Sequence, residues 1–200
     1  MIDTKLTRLL GIEYPIIQSG MQWLAVPQLA SAVCNAGGIG TINLTCWPTL
    51  DEFADALDEM NSLTSKPYIV NISLAPSQRV TDDMIRAAIK LCGEKHVAAI
   101  ETSAESPVPY MPDIKAAKLI HFHKCPNYKV SMSMERKGVD GVILCEDEFE
   151  YRDLTAKPGE SFGMDDAVFV TQKAITSVDV TLRNVYSGRK VVHLESIKRV

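Results

Sequence analysis

Residues 14–44 read YPIIQSGMQWLAVPQLASAVCNAGGIGTINL, and this stretch decides the fold. Pro15-Ile16-Ile17 is a short apolar run of the kind found in strands buried on both faces. Gln18-Ser19-Gly20-Met21 follows at its C-terminal end, and Gly20, lacking a Cβ, lets a backbone approach closely. Pro27 opens a helix where its missing N–H costs nothing, with Leu29, Ala30, Val33 and Cys34 on one face. Gly37-Gly38 ends that helix, and Ile39–Leu44 reads as the next strand. Strand, crossover helix and strand within about 30 residues form a βαβ unit, the building block of parallel sheets.

The same rhythm continues outward. Lys5–Gly11 is a lead-in helix or arm. Thr49 and Glu52 form a capping box for a helix that buries Leu50, Phe53, Ala54, Leu57 and Met60. Its acidic residues Asp51, Asp55, Asp58 and Glu59 fall on the solvent face. Pro67–Leu74 is a third strand, with Asn71 near its end. Thr81 caps a helix that turns Met84, Ile85, Ala88, Ile89 and Cys92 inward. Val97–Ile100 is a fourth strand ending in Glu101-Thr102-Ser103-Ala104, followed by a short helix over Val108–Lys118. Leu119–Cys125 is a fifth strand carrying Lys124 at its end. A helix then runs to Gly138, and Gly141–Cys145 is a sixth strand.

Strands alternating with helices predict an α/β fold of TIM-barrel-like (β/α) units, about six of the eight, in an incomplete barrel. Residues 1–147 would supply these six strands. Residues 148–200 would be a divergent loop, helix and tail of the same domain. Barrels of this type place their chemistry at the C-terminal ends of the strands, where Gln18, Ser19, Gly20, Asn71, Glu101 and Lys124 fall.

Composition excludes several classes. The 200 residues carry a net charge of −4 and no basic run, so no nucleic-acid footprint or membrane-surface patch is expected. No apolar run approaches bilayer-spanning length, and the N-terminus lacks an apolar signal-peptide segment. The five cysteines are widely spaced with no CxxC pair, which points to reduced thiols and a cytoplasmic location. His121 and His123 share a strand face, but no third ligand stands nearby, so no metal site is expected.

PIIQSGMQW, the Pro-led helix and NAGGIGTI together resemble the opening of the nitronate monooxygenase family, formerly 2-nitropropane dioxygenases, whose close relatives include flavin-dependent enoyl-acyl-carrier-protein reductases. The family form is roughly PIIQGGM with NAGGLGTIG, so Ser19 replaces a glycine. FHKCPNYKVSMSMERKGVDGVI, from residue 122, aligns without a gap to the family's IHKVTSVRHALKAEKLGVDAVI. The resemblance spans residues 5–147. It implies FMN as cofactor, a small nitronate as substrate and O2 as electron acceptor. Gln18, Ser19, Gly20, Met21, Asn71, Glu101 and Lys124 would line the isoalloxazine side of the flavin, with Lys124 near the ring edge where reduced flavin carries negative charge.

The pattern then breaks. Where the family has GFEAGGHPGEDD with its catalytic His, this chain reads EFEYRDLTAKPGESFGMDD over 148–166, and Lys157 stands nearest the His position. The family's PVIAAGGI and GTRF-like segments, its seventh and eighth strands on the phosphate side, have no counterpart. Residues 145–165 are expected to be irregular, 166–178 helical, and 190–195 a substitute edge strand. Impaired flavin binding and turnover are expected. Pairing of two copies is a further expectation, to cover the open barrel edge. The alternatives are a catalytically inactive remnant acting as a scaffold or partner-binding protein, and an FMN-dependent enoyl reductase.

Overall fold

The computed structural model describes residues 2–77 and 80–144, and the backbone of three short strands at 167–169, 181–183 and 190–193. The elements run α1 Lys5–Leu10, α2 Pro27–Asn35, β1 Thr41–Asn43, α3 Leu50–Leu63, β2 Ile69–Ser73, α4 Asp82–Glu94 and β3 Ala99–Ser103. They continue with α5 Met111–Ala116, β4 Ile120–Cys125, α6 Tyr128–Lys137, β5 Gly141–Leu144, β6 Ala167–Phe169, β7 Thr181–Arg183 and β8 Lys190–His193. Strands β1 to β6 form one parallel sheet in chain order. Ile17 adds a parallel bridge to Ile39 outside β1. This is the sequential, all-parallel order of part of a (β/α)8 barrel.

Alternation along the strands sorts side chains into two layers. Ile42, Val70, Ile72 and Ile100 face outward and pack on Phe53, Leu57, Met60, Ile85, Ile89 and Cys92 of α3 and α4. Ile17, Ile39, Ile69, Ala99, Phe122 and Ile143 face inward and fill the barrel interior. Leu10 and Ile12, at the end of α1, join that inner cluster. Because Ile69 and Ala99 are the first residues of their strands, α1 closes the N-terminal end of the sheet. The C-terminal end is left to polar side chains.

Local rules are met where the sequence announced them. Thr49 and Glu52 complete their capping box at the head of α3. The Thr81 side chain caps α4. Gly40 is required by α2, since a Cβ there would lie 2.0 Å from the Ala30 carbonyl oxygen.

Several expectations are corrected. The first strand is reduced to the single bridge at Ile17, because the side chain of Gln18 takes over the bonding to β1. Leu29 faces solvent rather than the core, and Ser31 is buried in its place. The stretch 108–118 divides into a 3-10 turn at Val108–Tyr110 and the short helix α5, with Pro109 and Pro112 removing backbone donors. The fourth strand runs Ala99–Ser103, so Glu101 lies within it rather than past its end. The expected helix over 166–178 gives way at its start to β6, whose Val168 pairs with Ile143 of β5. The β-branched Val suits a strand, and the edge of β5 offers an unfilled ladder. Lys190–His193 does not cover the large sheet's edge. It pairs antiparallel with Thr181–Arg183 in a separate two-stranded sheet. The expected irregular segment 145–165, including Lys157, lies outside the described residues.

No helix among the described residues is long and apolar enough to cross a membrane.

Candidate functional site

Three adjacent strands each contribute one inward-facing polar residue, Asn71 and Glu101 at the middle of β2 and β3 and Lys124 next to the last residue of β4. Asn71 of β2 sits in register with Glu101 of β3. Lys124 of β4 lies two residues beyond Phe122, which is itself in register with Glu101. All three lie on the same face as the inner apolar cluster, Glu101 in register with Phe122 and Lys124 in register with Ile143.

They form one bonded group. Asn71 Nδ2 donates to Glu101 Oε1 at 2.6 Å, and Lys124 Nζ reaches the same oxygen at 2.8 Å. Lys124 also donates to the Ser19 hydroxyl at 2.7 Å. Glu101 is fully buried and Asn71 is 3% exposed. A carboxylate taken out of water is tolerated only with an opposite charge and hydrogen bonds at hand. Lys124 and Asn71 provide both, on Oε1 alone. Glu101 Oε2 has no hydrogen-bond partner among the described residues, and neither does the buried hydroxyl of Thr41 on β1.

The loop after Ile17 lies directly over this group. A Cβ on Gly20 would fall 2.5 Å from the Cβ of Asn71, so only glycine allows the approach. Ser19 is buried and held by Lys124. Gln18 is committed elsewhere: its Nε2 donates to the Thr41 carbonyl at 3.1 Å, and its Oε1 accepts from the Thr41 N–H at 3.0 Å. Its amide therefore fastens the loop to β1 and is spent on backbone. Half-buried Met21 begins the turn into α2, where its carbonyl accepts from the N–H of Ala25 at 2.9 Å.

Of the seven residues singled out in the sequence, Ser19, Gly20, Asn71, Glu101 and Lys124 converge. Gln18 supports them and Met21 stands to one side. Sequence reasoning missed Thr41, although its place two residues after Ile39 puts it on the inner face. It also missed the bond from residue 19 to residue 124, for which no local signal exists.

His121 and His123 do not belong to this group. They share the outward face with Thr102, whose hydroxyl lies 2.8 Å from His121 Nε2 and 2.8 Å from His123 Nδ1. Burial pulls both imidazoles down to about 4, with the neighbouring His123 adding to the effect on His121, and Lys137 to that on His123. Both rings are neutral at pH 7. Among the described residues no group of three or more metal-ligating side chains is assembled.

Comparison with known proteins follows the same stretch of chain. Residues 3–144 match the family model described as nitronate monooxygenase. The (3aS,4S,5R,7aS)-5-hydroxy-7a-methyl-1-oxo-octahydro-1H-indene-4-carboxyl-CoA dehydrogenase of Mycobacterium tuberculosis is 36% identical over 125 residues, covering 58% of this chain and 34% of that protein. A Staphylococcus aureus protein named "Probable nitronate monooxygenase" is 40% identical over 81 residues, covering 40% of this chain and 22% of the relative. FabK from Thermotoga maritima superposes with a TM-score of 0.64 at 33% identity, over 72% of this chain and 44% of that one. Nitroalkane oxidase from Streptomyces ansochromogenes shares the fold, with a TM-score of 0.58 at 22% identity over 70% of this chain and 47% of that one. The chain spans well under half the length of the curated relatives it matches.

Proposed function

This chain belongs to the nitronate monooxygenase family, and from that premise we propose that it is an FMN-dependent oxidoreductase acting on small nitronates with O2. The observation that carries the reading is the Asn71–Glu101–Lys124 group, buried on the inward face of β2, β3 and β4 beneath the loop that follows Ile17.

The residues present suit the ring side of a flavin. Glu101 Oε2 is a buried acceptor awaiting a donor. Asn71 and Lys124 are donors held on the carboxylate's other oxygen, Oε1, and this mix of donors and acceptor suits a flat heterocycle rich in carbonyls and N–H groups. FMN, when bound, supplies the two-electron redox chemistry between substrate and O2.

Lys124 holds positive charge in a nearly closed site, where an ammonium stabilises developing negative charge more than it would in water. Glu101 and Ser19 fix its position. Gly20 keeps the loop flat against Asn71. Phe122 and Ile143, in register with Glu101 and Lys124 on the same inward face, add apolar surface that excludes water from the group's flank. A nitronate has already lost its α-proton, so its oxidation needs no general base; a neutral nitroalkane would need one. Residues 148–166 carry no His where the family has its catalytic one, and this supports an anionic over a neutral substrate.

The test is direct. Purified protein is titrated with FMN while flavin fluorescence is followed, and oxygen uptake is measured with a nitroalkane anion and with its neutral form. Binding with uptake on the anion alone is expected. An absence of flavin binding sets the proposal aside in favour of a non-catalytic scaffold.

FabK from Thermotoga maritima, at 33% identity, favours a second reading as an FMN-dependent enoyl reductase. The Mycobacterium tuberculosis relative, named for a carboxyl-CoA substrate, directs that reading toward thioesters. Oxidation of a nicotinamide cofactor dependent on an enoyl thioester, without nitronate turnover, would select it.

A further inference from the structure

From Tyr14 to Leu50 the chain carries no Asp, Glu, Lys, Arg or His, although 23% of all its residues are Asp, Glu, Lys or Arg. The run is not hidden. Tyr14, Ile16, Trp23, Leu24 and Leu29, exposed by 38–63%, are half of the exposed large apolar side chains among the described residues. Apolar surface depleted of charge is the mark of an interface.

The fold shows where this surface lies. Ile17 stands outside β1, at one end of the sheet. The Gln18 N–H donates to the Ile39 carbonyl and the Ile39 N–H to the Ile16 carbonyl, both at 2.9 Å. Residues 16 and 18 therefore turn their backbone toward β1, and Ile17 turns its N–H and carbonyl the other way. Neither group has a backbone partner among the described residues. Helix α2 is equally one-sided. Gln28 and Asn35 bond to Glu59 and Leu63 of α3, and Pro27, Ala30, Ser31 and Cys34 are buried. That leaves Leu29 and Val33 on the flank away from α3. Val33 and Ile16 both lie within 4 Å of the place a Cβ on Gly38 would take, so strand edge and helix flank form one surface.

We propose that this surface pairs with the same surface of a second copy of the chain, about a two-fold axis beside Ile17. A residue offering one N–H and one carbonyl is complementary to itself in an antiparallel pair, where facing residues exchange both bonds. The two α2 helices then lie side by side on one face of a joined sheet, with Ile16 and Leu29 in the seam. The uncharged run permits this, because no like charges are brought together, and it gives a charged partner nothing to pair with. The later strands of the chain do not fill the place, since β7 and β8 pair with each other. The loop whose Ser19 is held by Lys124 springs from Ile17, so pairing also braces its root.

Sedimentation equilibrium of the full chain tests this, with wild type and three variants at exposed positions: Ile16→Lys, Leu29→Lys and, as control, Val108→Lys in the turn between β3 and α5. Wild type and Val108→Lys should be dimeric. Each seam variant should associate about 100-fold more weakly or worse, because it sets two lysines against one another across the axis. A wild type that stays monomeric at every attainable concentration overturns the proposal. So does an association that both seam variants leave intact, or one that Val108→Lys disrupts as readily. Should the seam variants fail to fold by circular dichroism, hydrogen exchange in wild type decides. The Ile17 amide should exchange faster as dilution dissociates the dimer, and a rate indifferent to dissociation places the contact elsewhere. A monomeric wild type that binds phosphatidylcholine vesicles, with a blue shift in tryptophan fluorescence, would assign the surface to lipid instead.

Discussion

Lys124 donates to the Ser19 hydroxyl at 2.7 Å, joining the rim of β4 to the loop after the first strand position across 105 residues of chain. The same ammonium holds Glu101 at 2.8 Å. One side chain therefore fixes the entrance loop and neutralises the buried carboxylate.

Removing that side chain should be costly. Lys124→Met leaves the Glu101 carboxylate buried without its cation, and breaking a buried pair typically costs about 3–5 kcal/mol. Pairing it with Glu101→Gln should recover much of the loss, because the uncompensated charge is gone. Urea unfolding of the two single variants and the double variant measures the coupling. Strict additivity would show that the pair does not act as a unit.

Ser19→Gly restores the glycine of the family motif and deletes only the hydroxyl. One hydrogen bond is lost while Lys124 stays on Glu101, so a stability change of about 0.5–1.5 kcal/mol is expected. The loop should loosen, and amide exchange at residues 18–21 should quicken. A loss as large as that of Lys124→Met would show that Ser19 carries more than this bond.

Two glycines should respond differently to alanine. At Gly40 the added Cβ meets the Ala30 backbone oxygen at 2.0 Å, so α2 has to move off the sheet. Overpacking of this kind costs about 1–3 kcal/mol or more. At Gly11 the space is open, and only the φ of +68° resists substitution, a strain of about 1 kcal/mol. Thermal melts of Gly40→Ala and Gly11→Ala rank the two; the reverse order would contradict the packing of α2.

Acid should weaken the fold through His121 and His123. Their folded values lie near 4, against an unfolded value of about 6.5. The unfolded chain therefore binds more protons between those limits, and stability falls as pH drops through that window. Each histidine contributes up to about 1.4 kcal/mol per pH unit inside it. Urea midpoints at pH 7, 6 and 5 test this, and His123→Gln should flatten the slope. A flat profile in the parent protein from pH 7 to 5 would refute it.

The period of the apolar residues made the barrel units readable. Phe53, Leu57 and Met60 on one helix, and Ile69 to Ile72 on one strand, state their environments without reference to the rest of the chain. Asn71 and Lys124 were marked in the sequence by their places toward strand ends and by the family resemblance, and the structure puts both on the inward face. Glu101 was harder to place. Thr102 and Ser103 look like loop, yet a β-branched threonine fits a strand and carries β3 past the carboxylate. Gln18 read as a ligand contact because an amide at a strand end resembles one, but a backbone ladder was the nearer partner. The bond between Ser19 and Lys124 depends on closure of several βα units, and no pattern within either segment encodes it. Ala167–Phe169 was too short for its strand propensity to outweigh the longer helical reading; pairing with β5 decided it.

Helix α1 has a consequence for the order of assembly. Leu10 and Ile12 are made well before the strands they seal, because that surface includes Phe122 of β4 and Ile143 of β5. The plug therefore has no complete seat until β5 has been synthesised and added. Contacts so distant in sequence incur the loop-closure cost before they return any stability, and they slow folding. Helix α1 therefore leaves the ribosome before β5 and docks after it, and until then its apolar side chains wait exposed.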